Sequence, residues 1–87
     1  MTHEEMAEAG IIASAYRFES DREGAIRVEW RGGDRWAIIR GGSCYNALGE
    51  WEYEPMASNR TEEFIARCRY PLDEALRRAL VAIRESP

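Results

Sequence analysis

The chain has no lysine and no glutamine in its 87 residues, two cysteines (Cys44 and Cys68) and a single histidine, His3. Each shortage removes a class of chemistry. Two thiols and one terminal histidine do not build a structural zinc site without further help. Cys44, after Gly41-Gly42-Ser43, invites a nucleophile reading, but a catalytic thiol needs a base or a cationic neighbourhood, and no ordered histidine is offered. Both cysteines therefore read as buried free thiols, with a Cys44–Cys68 disulfide left open and disfavoured by a cytosolic setting. No apolar run approaches the ~20 residues that cross a bilayer, and Glu4, Glu5 and Glu8 are the wrong charge for a secretory or mitochondrial signal, so a cytoplasmic location is expected. There is no basic excess either. Twelve arginines face 16 carboxylates for a net charge of −4, and the arginines form no cluster along the chain, so direct contact with nucleic acid is not expected.

What remains is an ordinary globular composition, 45% hydrophobic and 32% charged, in a length that allows one domain, residues 1–87, with a thin core. Because every basic residue is arginine, which is always charged and planar, the surface should be laced with forked Arg–carboxylate pairs. With alanine also abundant, this usage hints at a GC-rich coding sequence of bacterial or phage type. The acidic excess lies in residues 1–10 and around Glu50, Glu52 and Glu54.

Hydrophobic periodicity predicts an α+β fold. Residues 1–9 read as a flexible end or a short helix, with Thr2 and Glu5 in a capping-box pattern that Gly10 interrupts. Ile12, Tyr16 and Phe18 suit a strand, with a helix left open. Asp21, Arg22, Glu23 and Gly24 form a polar turn. Ile26, Val28 and Trp30 then alternate with charged residues as a half-buried strand does, Gly32-Gly33 supply a tight hairpin, and Trp36 and Ile38 carry the return strand. Gly41-Gly42 break that strand, Ser43 to Gly49 read as a connection, and Glu50 to Glu54 as a short strand ended by Pro55. The total is a three- to four-stranded antiparallel meander. Asn59 or Thr61 caps a short helix that turns Phe64, Ile65 and Cys68 inward, and Arg69-Tyr70 adds a brief strand. Pro71 opens a longer amphipathic helix whose stripe of Leu72, Leu76, Ala79, Leu80 and Ile83 packs on one face of the sheet. The expected core is Ile26, Val28, Trp30, Trp36, Ile38, Trp51 and Tyr53 beneath Leu72, Leu76, Leu80 and Ile83.

The most distinctive stretch is Glu50-Trp51-Glu52-Tyr53-Glu54. In a strand its three carboxylates share one face, roughly 6.5–7 Å apart, and the two aromatics share the other. The plain reading is a solvated face paired with arginines of neighbouring strands. The functional reading is an anionic stripe that docks on a basic groove of a protein partner, supported by Glu19, Asp21 and Glu23. A catalytic carboxylate pair would need a pocket that 87 residues are too few to supply. No cofactor and no metal are implied. The two R-G-G triplets, Arg31-Gly32-Gly33 and Arg40-Gly41-Gly42, are explained by turn chemistry.

From Arg35 to Tyr70 the chain carries Arg35-Trp36, Gly41-Gly42-Ser43-Cys44, Gly49-Glu50-Trp51-Glu52-Tyr53-Glu54-Pro55, then Ser58, Arg60, Phe64 and Arg69-Tyr70 ahead of an Ala/Leu helix. Here it resembles small phage and mobile-element proteins, and within that class it is similar to anti-CRISPR proteins. The resemblance implies a non-enzymatic inhibitor that binds a bacterial CRISPR–Cas effector, a Cas subunit or a surveillance complex, and that presents carboxylates where DNA phosphates would lie. The alternative is a small structural or homo-oligomerising accessory protein that forms a homodimer.

Overall fold

The computed structural model describes residues 15–19 and 24–85. Among them five strands form one antiparallel meander in the order β1-β2-β3-β4-β5. These are β1 (Ala15–Phe18), β2 (Ile26–Trp30), β3 (Trp36–Arg40), β4 (Ser43–Tyr45) and β5 (Trp51–Tyr53), followed by a 3-10 turn at Ala57–Asn59 and two helices, α1 (Glu62–Cys68) and α2 (Leu72–Glu85). The α+β class and the longer C-terminal helix stand as expected. The strand count is one to two higher. The expected features of residues 1–9 and 12–14, and of Asp21, Arg22 and Glu23, lie outside the described residues.

The extra strand is β4, inside what the turn residues marked as a connection. Gly41-Gly42 do more than end β3: with Gly41 at φ 58° they form a two-residue turn, and Arg40 pairs directly with Ser43. A positive φ in so short a hairpin loop matches the twist of the flanking strands. β4 is three residues long and contains no β-branched residue, so it carries little of the usual strand signal. It is short enough to leave the start of β3 without a strand neighbour on that side. Tyr70 fills the gap, donating its N–H to the Trp36 carbonyl at 3.0 Å and accepting the Trp36 N–H at 2.8 Å.

β3 is buried on both faces: Trp36, Ala37, Ile38 and Ile39 are all inaccessible or nearly so. Alternation turns Trp36 and Ile38 toward α2, with Ile26, Val28 and Tyr45, while Ala37 and Ile39 meet Cys44, Phe64 and Cys68 on the opposite side under α1. The sheet is therefore covered by a helix on each face, α2 over β1–β3 and α1 over β3–β4. Both cysteines are free and buried in the α1 layer, where burial pushes both thiols above their ordinary pKa. α1 begins on a cap of the expected kind, Thr61 Oγ1 accepting the Phe64 N–H at 3.1 Å, with Glu62 and Glu63 at the positive end of the helix dipole.

The core list changes at three places. Trp30 lies at the end of β2 and is 38% exposed, its indole N–H donating to the Gly33 carbonyl at 2.8 Å. Tyr53 is 72% exposed at the sheet edge, and Leu80 faces solvent. α2 presents Ala75, Ala79 and Ala82 to the sheet, with Leu72, Leu76 and Ile83 packed at the sides of that line. The sheet supplies the bulk here. Tyr16 and Trp36 lie with ring centroids 5.7 Å apart, and Tyr45 stands nearby in the same cluster, so small helix residues bring the backbone close enough to pack against large rings. Ala79→Leu should therefore destabilise the fold by about 1–3 kcal/mol through overpacking. Leu80→Ser should change stability by no more than about 0.5 kcal/mol. Urea melts of the two variants check this, and the reverse order would restore the Leu80-centred stripe.

Candidate functional site

Glu52 lies opposite Cys44 on the face that α1 covers and Glu54 meets Arg69 just past the end of α1, but the structure treats the three carboxylates of the Glu50-to-Glu54 stretch differently. Glu52 stands between Arg67 at the end of α1 and Asn46 in the β4–β5 loop. Arg67 Nε and Nη2 donate to its two oxygens at 2.8 and 2.7 Å, and Asn46 Nδ2 donates at 2.7 Å. Asn46 is buried, and its own oxygen accepts the N–H groups of Leu48 and Glu50, each at 3.0 Å. One amide thus shapes the loop and holds the carboxylate. These donors, Arg67 first, lower the Glu52 pKa to about 2.

Glu54 is the most enclosed. Arg69 Nη2 donates to Oε1 at 2.6 Å and Arg31 Nη2 to Oε2 at 2.9 Å, while Arg60 Nη2 lies 3.8 Å from the same Oε2. The Arg69 side chain is only 4% exposed. Burial by itself would raise the Glu54 pKa, but Arg31 and Arg69 outweigh it and hold the carboxyl below the ordinary range. Arg31 continues the chain to Glu29 at 3.1 Å, which is also ion-paired with Arg27 at 3.0 Å. Glu50 is exposed, and no side-chain partner of it occurs among the described residues. Glu19 pairs with Arg17 at 2.7 Å on the solvated end of β1, whereas Asp21 and Glu23 lie outside the described residues. The structure thus brings Glu52 and Glu54 together with arginines and leaves Glu50 alone.

A second surface was not visible in the sequence. Leu48 in the β4–β5 turn is 77% exposed, Tyr53 72% and Met56 70%. With half-buried Trp51 they follow the outer edge of the sheet. Arg40 lies over the Trp51 ring at 4.9 Å, and Tyr45 meets the same ring at 5.1 Å. Leu48 and Met56 escaped notice because periodicity assigns apolar residues only within helices and strands. An apolar residue beside Gly49 or Pro55 was the signal available. A shallow cleft of about 480 Å³ between the β2–β3 turn and α1 is lined by Asp34, Arg35, Glu62, Ile65, Arg69 and Tyr70 among others, but its arginines and carboxylates balance. Among the described residues no group of three or more His, Cys, Asp or Glu is placed to hold a metal ion, and no helix is long and apolar enough to cross a membrane. Comparison with known proteins finds no family model, no curated protein and no solved structure that matches the chain.

Two measurements separate the three carboxylates. Glu54→Ala leaves Arg69 as a buried unpaired cation and should cost about 3–5 kcal/mol in a urea melt, whereas Glu50→Ala should stay within about 0.5 kcal/mol. The second concerns pH. The pKa of Glu52 is depressed on folding, so the stability it confers is fully present above its ordinary pKa of 4.5 and is lost as pH falls through about 2. The melting temperature of Glu52→Gln should lie below that of the wild type at pH 7, and the gap should close as pH drops from 4.5 toward 2. A gap that stays constant with pH would remove the linkage.

Proposed function

We propose that this chain is a non-enzymatic protein-binding domain that inhibits a bacterial CRISPR–Cas effector complex by docking through the β5 edge strip. The observation that carries the docking site is the exposure of Leu48, Tyr53 and Met56 in and beside the edge strand of a small sheet, the strand that also carries Trp51 with Arg40 over its ring. Aromatic residues, Met and Arg are the types enriched at protein interfaces, and buried aromatic anchors supply most of the affinity there. The effector as partner rests on the resemblance over residues 35–70.

The mode of contact differs from an anionic stripe. Glu52 and Glu54 are already neutralised by arginines, and a carboxylate held in this way has little charge left to offer a basic groove. Glu50 remains as a rim charge that adjusts the on-rate more than the affinity. Main-chain pairing to the edge is also disfavoured. β5 is three residues long, Glu50 and Glu54 flank it and Pro55 follows, which are the devices that keep an edge strand from adding another. The strip therefore binds through side chains.

Charge reversal of all three carboxylates is a poor test, since reversing Glu52 or Glu54 breaks the fold. The informative pair is Tyr53→Ser with Met56→Ser against Glu50→Arg, read by capture of an effector complex from a CRISPR-bearing host. The double variant should lose capture by roughly 10-fold or more, and Glu50→Arg should change it only a few-fold. Unchanged capture by the folded double variant would overturn the strip. Light scattering at two concentrations gives the other arm: a dimer that the double variant abolishes would assign the strip to a second copy of the chain and favour the accessory-protein reading.

A further inference from the structure

We propose that Cys44 and Cys68 are a site of reversible oxidation, a dithiol that hydrogen peroxide converts into a disulfide between β4 and α1, whatever the β5 edge binds. They are the only two cysteines of the chain and lie far apart in it, yet the fold brings them to each other. Both are fully buried in one small cluster with Ala37, Ile39 and Phe64, and the Cys68 thiol is hydrogen-bonded to the Cys44 sulfur. The Cys44 thiol in turn donates to the Glu52 carbonyl, 3.6 Å away. An apolar layer asks only for volume at such positions, so packing accounts for two buried thiols but not for their meeting.

The backbone fixes this approach from two sides. Just before Cys68, the Arg67 carbonyl accepts the Ala47 N–H at 2.8 Å, and just after it Tyr70 pairs with Trp36 through two main-chain bonds of 3.0 and 2.8 Å. The Tyr70 hydroxyl donates to the carbonyl of Tyr45, the neighbour of Cys44, at 2.8 Å. The end of α1 is thus drawn against β3 and the end of β4 by its own main chain. A disulfide holds its two Cβ atoms about 4 Å apart, and thiols already in contact between tethered backbones reach that spacing with little movement.

The Cys44 thiol ionises first, because the Cys68 S–H supports its thiolate. That thiolate attacks one oxygen of the peroxide, the O–O bond breaks, and the departing hydroxide takes up the thiol proton as water. The Cys68 sulfur then attacks the Cys44 sulfenic acid: the S–S bond forms, the S–O bond breaks, and a second water leaves with the Cys68 proton. Two thiols give up two electrons, and one peroxide is reduced to two waters. Burial keeps both thiols protonated at neutral pH, so the pair stays reduced until a small oxidant reaches it. The bond ties α1 to the β4–β5 hairpin, which carries Leu48 and Tyr53.

Thiol counting on the full chain tests this. The reduced, folded protein is incubated with hydrogen peroxide, the excess is removed with catalase, and the chain is then unfolded in urea and alkylated. Two alkylated cysteines before peroxide should become none after it, in a chain that stays monomeric on a non-reducing gel, and dithiothreitol should restore both. The melting temperature should rise by roughly 10 °C on oxidation and return on reduction. Cys44→Ser and Cys68→Ser should each lose the rise that peroxide produces; should neither fold, the thiol count and melting shift of the wild type decide alone. Two free thiols after peroxide, a bond between two chains, irreversible oxidation of the separate sulfurs, or a disulfide that forms only in urea would each overturn the inference.

Discussion

Glu54 is the carboxylate on which separate parts of the chain converge. It follows β5, and it accepts from Arg31 at the end of β2 and from Arg69 just after α1, with Arg60 beside it. Removing water from charges is costly, and the attraction between them repays that cost only where the geometry is good and the remaining hydrogen bonds are made. Arg69 meets this condition, because its second nitrogen donates to the Cys68 carbonyl at 2.9 Å and its guanidinium lies 5.4 Å from the Phe64 ring. Such a cluster adds little net stability over an apolar one. What it adds is uniqueness, since a one-residue slip of β5 would turn Glu54 away and leave Arg69 buried and alone.

The same contact explains why a thin domain can cover both faces of its sheet. α1 has only seven residues, too few to hold itself by backbone bonds. It is fastened by Phe64 and Cys68 in the apolar layer, and by Arg67 to Glu52 and Arg69 to Glu54 at its C-terminal end. Cations at that end also favour the negative pole of the helix dipole. Arginine suits these places better than lysine would, because one planar group satisfies two oxygens or two partners at once.

Much of this was legible in the sequence, and the failures have physical causes. The alternation of Ile26, Val28 and Trp30, the Gly32-Gly33 hairpin, the Thr61 cap and the C-terminal helix are local signals and read correctly. β4 was missed because three residues bearing Ser, Cys and Tyr have no period to detect, and its existence depends on the neighbouring β3 and β5. The choice of the Ala75, Ala79 and Ala82 line over Leu80 cannot be read from the helix, since it is decided by the rings on the sheet that the helix meets. At the candidate site, alternation set Glu52 on the face that α1 covers, while Glu50 and Glu54 lie outside the three residues of β5. It could not say which would be spent internally, because Arg31, Arg67 and Arg69 reach them only through the fold.

That distinction alters what charge in a sequence can mean. A run such as Glu50-Trp51-Glu52-Tyr53-Glu54 looks like an offered negative surface because its counter-charges lie elsewhere in the chain. Once folded, Glu52 and Glu54 are the centres of arginine clusters, and the potential that reaches solvent is set by the difference between the two. At Glu52 the difference is near zero. Along Glu54, Glu29 and Glu19 the arginines outnumber the carboxylates. A partner senses only the charge left unpaired at the surface, so Glu50, and not Glu52 or Glu54, is the carboxylate of the motif that a partner can meet.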